Sequence, residues 1–83
     1  MENRISYGED NYQGQGKHRQ EVFCDGKRVG LLITQERNPL MPLEEYYMFP
    51  DVNEDDEWCK FTDEKEAFKY IEENFNILTN LMK

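Results

Sequence analysis

Asp63-Glu64-Lys65-Glu66-Ala67-Phe68-Lys69-Tyr70-Ile71-Glu72-Glu73-Asn74-Phe75-Asn76-Ile77-Leu78-Thr79-Asn80-Leu81-Met82 is the stretch that decides the fold. Its Phe68, Ile71, Phe75, Leu78 and Met82 recur at steps of three and four, which is the apolar stripe of an amphipathic helix. Asp63 is a favoured N-cap, and Glu66 three residues later completes an Asp-x-x-Glu capping box. The spacing predicts a helix over 63–82, roughly 30 Å long. Asn74 and Asn76 flank Phe75 and weaken the helix there, so a break near Phe75 with a resumed last turn is expected. Everything upstream reads as sheet and loop for this stripe to cover.

The strongest upstream signal is Asp25-Gly26 between two β-prone runs, Gln20 to Cys24 and Lys27 to Thr34. Asp-Gly favours a type I′ hairpin, whose two central residues need positive φ. A hairpin over 18–35 follows, with Cys24 opposite Lys27 and Val22 opposite Val29. Period-two alternation then places Val22, Cys24, Val29, Leu31 and Ile33 under the helix, and Phe23, Arg28, Leu32 and Thr34 on the other face. Residues 36–43 hold Asn38-Pro39 and Met41-Pro42 and read as a loop, with Leu40, Met41 and Leu43 expected to tuck against the core, the alternative being part of an exposed binding patch. Glu44 to Phe49 reads as a strand, with Tyr46 and Met48 on one side and Tyr47 and Phe49 on the other. Pro50 ends it, and Trp58 to Phe61 forms a last short strand.

Residues 1–17 are polar and rich in Gly, Gln and Asn, a terminal arm or short edge strand (Arg4 to Tyr7), with a mobile loop from Gly8 to Lys17. The reading is a single α+β domain over 18–83: a small antiparallel sheet of three to four strands packed by one C-terminal helix. Its core is thin, because a chain of 83 residues buries little over ~60% of its unfolded surface.

Charge divides the chain in two. Residues 1–42 carry six basic and six acidic residues, and residues 43–83 carry four and twelve, so the whole net charge of −8 lies in the second half. Such a half repels nucleic acid and anionic membranes and attracts basic protein surfaces. The start has no apolar signal segment and no run reaches the ~18 apolar residues of a membrane span, so a cytoplasmic protein is expected. Cys24 and Cys59 are then reduced, structural thiols.

Several chemistries fail on spacing. Gly14-Gln15-Gly16-Lys17 glances at a phosphate loop, but Asn11 stands where its first Gly belongs and His18 where Ser or Thr belongs. Asp51, Asn53 and Asp55 match the first positions of a calcium loop, but Asp56 replaces its Gly and Thr62 its closing Glu. His18, Cys24 and Cys59 lack the tight Cys pairs of a zinc site. The chain has one His and no nucleophile elbow, so an enzyme is not expected, nor a cofactor.

Recognition remains. Between Leu43 and Phe61 acids interleave with the aromatic and Met residues that anchor interfaces. The candidate partner-binding residues are Glu44, Glu45, Tyr47, Asp51, Glu54, Asp55, Asp56, Glu57 and Trp58, the acids steering a basic partner and Tyr47 and Trp58 anchoring it. In size, acidity and α+β build the chain resembles two groups of small acidic inhibitors: phage anti-defence proteins, some of which mimic DNA, and immunity proteins or antitoxins that cap basic nucleases. The resemblance implies a non-enzymatic inhibitor or adaptor on a basic, nucleic-acid-binding protein. The alternatives are a small accessory protein acting as a homodimer, through its open sheet face or the Leu40–Leu43 loop, and a metal-responsive module.

Overall fold

In a computed structural model, which describes residues 2–83, the Asp25-Gly26 turn takes φ of 53° and 78°, the positive pair that the hairpin demands. It joins β3 (Lys17–Cys24) to β4 (Lys27–Gln35). A 3₁₀ turn (Glu2–Arg4), β1 (Ile5–Tyr7) and β2 (Asn11–Gly14) precede them; β5 (Glu44–Pro50), β6 (Trp58–Phe61) and α1 (Glu64–Leu81) follow. All pairings are antiparallel, in the order β1-β3-β4-β5-β6. β2 pairs Lys17–Arg19 and β1 pairs Val22–Cys24, so the two lie end to end along one edge of β3.

The fold is therefore α+β as expected, but the sheet has six strands rather than three to four. The surplus comes from the N-terminal segment. Asn11–Gly14, read as mobile loop, is a strand that turns back into β3. Gly14, Gln15 and Gly16 all hold positive φ there, which the two glycines accept without a Cβ penalty. The Tyr12 hydroxyl accepts the Gly16 N–H at 3.1 Å. At the other end, Arg4 clasps the Asp25 carboxylate through two guanidinium nitrogens at 2.9 and 2.5 Å. This ties the chain start to the β3–β4 turn.

The hairpin register departs from the expected one. Cys24 does oppose Lys27, but Val22 opposes Gly30, with a bulge at Val29 in between. One extra residue reverses the alternation beyond it. Leu32, not Leu31 and Ile33, joins the helix-side core with Val22, Cys24, Val29, Tyr47, Phe49, Ala67, Ile71 and Leu78. Gly30 is the residue that permits this. A Cβ built on it would lie 2.3 Å from Phe49 Cδ1 and 2.6 Å from the Met48 carbonyl. The Phe49 ring occupies the space where a side chain would be.

The helix lies across this face. Asp63 caps it as expected, its carboxylate accepting the Lys65 N–H at 2.9 Å. Asn74 leaves helical geometry at φ −126°, and its side-chain amide donates to the Tyr70 carbonyl at 3.0 Å, taking the place of a backbone turn. The helix resumes and runs to Leu81. The Leu40–Leu43 loop does not tuck in: Leu40 is 93% exposed, with Met41 and Leu43 also exposed. The Asn38 side chain accepts the Leu40 N–H, which turns the loop outward. No helix among the described residues is long and apolar enough to cross a membrane.

Candidate functional site

Three segments meet at the end of the sheet that carries the Asp25-Gly26 turn: the β5–β6 connection, the start of β6 and the last turns of α1. Asp51, Glu54, Asp55, Asp56, Glu57 and Trp58 line one groove together with Pro50, Val52, Ile77 and Leu81. Trp58 is 46% exposed, Ile77 48% and Leu81 51%, so the groove has an apolar floor beneath a wall of five carboxylates. Exposed apolar side chains rimmed by polar ones mark interaction surfaces.

The wall is built by its own chain. The Asp51 carboxylate accepts the Asn53 N–H at 2.8 Å, an Asx turn that opens the connection. Asp51 N–H donates to the Glu57 carbonyl at 2.9 Å and closes it. Asp56 holds φ of 63°, a left-handed conformation that Asp tolerates better than most residues. The base is pinned by Tyr70 of α1, whose hydroxyl accepts the Val52 N–H at 3.1 Å and donates to the Pro50 carbonyl at 2.9 Å. Burial pushes the Tyr70 phenol above its ordinary range. Cys59 lies 3.8 Å from the same hydroxyl, and burial raises its thiol as well, so it stays protonated at neutral pH. Among the described residues no group of three or more His, Cys, Asp or Glu side chains is placed to hold a metal ion.

The nine candidate residues do not all come together. Asp51, Glu54, Asp55, Asp56, Glu57 and Trp58 share the groove. Tyr47 is not an exposed anchor: it is 5% exposed, packed edge-on to Phe68 in the core, with its hydroxyl bonded to that of Tyr7 at 2.9 Å. The bulge at Val29 is the reason, because it turns the Leu32 and Tyr47 row toward the helix. Glu44 and Glu45 sit at the far end of β5, about 20 Å along the strand from Pro50. Glu44 is occupied there by Arg37 at 3.0 Å.

Ile77 and Leu81 complete the floor, and the sequence reading missed them. They stand one helical turn apart, yet outside the 68-71-75-78-82 stripe. Two apolar residues off a helix's buried stripe are the signal that would have found them.

The opposite, helix-free face of the sheet has a different character. Lys17 and Arg19 of β3, Leu31 and Ile33 of β4, Tyr46 and Met48 of β5, and Trp58 and Lys60 of β6 line one shallow hollow. Lys60 Nζ stands 4.4 Å over the Tyr46 ring. Trp58 borders both this hollow and the acidic groove.

The chain matches no family model, no curated protein and no solved structure.

Proposed function

We propose that the chain is a non-enzymatic protein-binding module, an inhibitor or adaptor that docks on a basic protein surface through the groove at the β5–β6 connection. One observation carries this reading: Trp58, Ile77 and Leu81 are half-exposed side by side under the wall of Asp51 and Glu54–Glu57. The wall steers and orients a cationic partner, and the apolar floor supplies the desolvated contact that gives affinity. The partner class suggested by size and acidity is a nuclease or another nucleic-acid-binding protein, as for phage anti-defence proteins and nuclease immunity proteins. The site is assigned no catalytic residue and no cofactor.

The test is a tagged pull-down from nuclease-treated lysate of the native host. Three baits run side by side: wild type, Asp55→Asn/Asp56→Asn/Glu57→Gln, and Trp58→Ala. A basic protein retained by wild type and lost from both variants supports the reading. Retention that is equal on all three baits refutes it. The purified complex should also weaken steeply between low and high salt, since exposed charges are screened beyond about 10 Å at 0.1 M.

A further inference from the structure

Carboxylates on the open sheet face are already neutralised within the chain. Glu21 pairs with Arg28 at 2.8 Å and Glu44 with Arg37 at 3.0 Å. Lys17, Arg19 and Lys60 have no carboxylate partner among the described residues. A chain of net charge −8 thus keeps three unpaired cations together, around a half-buried strip of Leu31, Tyr46 and Met48. The acidic wall begins on the other side of Trp58. The surface through Trp58 is consequently bipolar, anionic on one flank and cationic on the other.

From this layout we propose that the surface docks a second copy of the chain, as a two-fold symmetric dimer with the Trp58 side chains near the axis. A two-fold interface requires that one patch be complementary to itself after a half-turn, so that residue i meets j while j meets i. A bipolar patch satisfies that rule. The half-turn lays each acidic wall, Asp51 to Glu57, over the partner copy's Arg19 and Lys60, while Trp58 and the apolar strip close the middle. Sheet face stacked squarely on sheet face fails the rule, because it sets cations against cations. A nucleic acid strand suits the layout less well: its phosphates would meet three cations but run beside five carboxylates. Four strands at about 4.8 Å spacing, with the connection and helix end beside them, form a face able to bury about 600 Å² per copy, the lower end of specific interfaces and suited to a reversible dimer. The inference shares its groove with the proposed function, so a basic partner and a second copy compete for it.

Sedimentation equilibrium on the pure chain, over micromolar to millimolar concentration, is the experiment. Two charge-reversed variants accompany wild type: Arg19→Glu/Lys60→Glu and Asp55→Lys/Glu57→Lys, each checked for native circular dichroism. Wild type is expected to reach dimer mass reversibly and stop there. Each variant alone is expected to dimerise at least about tenfold more weakly, since like charges now oppose. Mixed one to one, the variants restore both charge contacts and the dimer returns. Monomeric wild type throughout, association untouched by either reversal, failure of the mixture to restore it, or growth beyond dimer would each overturn the proposal. The Arg19→Glu/Lys60→Glu variant keeps the acidic groove intact. It should still retain a basic partner, so loss of partner capture and loss of dimerisation are read separately.

Discussion

Gly30→Ala puts the bulged hairpin to its hardest test. The added methyl would sit 2.3 Å from Phe49 Cδ1, 2.7 Å from Phe49 Cε1 and 2.6 Å from the Met48 carbonyl oxygen. The carbonyl belongs to β5, which is laddered to β4, and cannot retreat without parting the two strands. The ring is wholly buried and stacked between Tyr47 and Tyr70, so it has no free direction either. Overpacking of this kind costs about 1–3 kcal/mol, and two immovable neighbours place it at the upper end. Replacing Gly by Ala also restricts the unfolded chain, which offsets about 0.4–1 kcal/mol. A net loss of about 2 kcal/mol remains, a Tm drop of roughly 8–16 °C for a domain of this size. Thermal unfolding by circular dichroism measures it, with Gly26→Ala as a comparison. Gly26 has nothing within 4 Å of a built Cβ and only its φ of 78° to strain. That strain is worth about 1–2 kcal/mol. Combining Gly30→Ala with Phe49→Leu should cost less than the sum of the two. A Gly30→Ala Tm within about 2 °C of wild type would refute both the register and the placing of Phe49.

Tyr70→Phe removes the hydroxyl that accepts from Val52 and donates to Pro50. It should cost about 1–3 kcal/mol in chemical denaturation and weaken partner capture, with a changed Trp58 emission as the wall loosens. Asp25→Asn tests the Arg4 clasp against pH. The hydrogen bond from Arg4 holds the Asp25 carboxyl below its ordinary 3.8 in the folded chain. The clasp therefore contributes fully above 3.8 and fades as pH falls through the lowered value, so the wild-type Tm advantage at pH 7 should shrink as the pH is taken below 3.8. Burial raises the thiols of both Cys24 and Cys59. Each should react with a thiol reagent far more slowly at pH 8 in the native chain than in denaturant. Added NaCl should raise the Tm of the free chain, because the Debye length falls from about 10 Å at 0.1 M to about 3 Å at 1 M and the carboxylates of the wall then repel less. A Tm that falls with salt would show that attractive pairs dominate instead.

What the sequence made legible was local. The Asp25-Gly26 turn, the Asp63 cap and the weak point at Asn74 are each set by residues within a few positions of one another, and each stands where its chemistry requires. The misassigned strand faces share one cause. Gly30 in mid-strand was the mark of a bulge or a close approach, and alternation carried straight through it assigns every later residue in the strand to the wrong face. That single slip exchanged Leu32 with its neighbours Leu31 and Ile33, and buried Tyr47, which had looked like an anchor. The edge strand at Ile5–Tyr7 was legible, but the second N-terminal strand was hidden for another reason. Asn11–Gly14 has no apolar alternation, and it is held by its ladder to β3 and by the positive φ of Gly14 and Gly16. Within the site, the acidic wall and Trp58 were legible because they are contiguous in the chain. Ile77 and Leu81 join them only because α1 ends over the same edge of the sheet.

That convergence bears on how so small a domain can recognise anything. Phe49, Ile71 and Leu78 are fully buried between the one helix and the one sheet, and a domain this small has a thin core. The proposed docking site accordingly lies on the rim, where a helix end, a strand start and a connection project past the core. The rim here carries five carboxylates within seven residues, which repel one another in the free chain. The Tyr70 hydroxyl and the Asp51 turn hold them in place against that repulsion. A basic partner docked there, as proposed, would relieve that repulsion and stabilise the fold as it binds. The same logic sets Arg19 and Lys60 across Trp58 from the wall without joining them to it. Paired within one chain, the charges would cancel and leave nothing to recognise; held apart on one rigid sheet, they remain available to whatever carries the complementary arrangement.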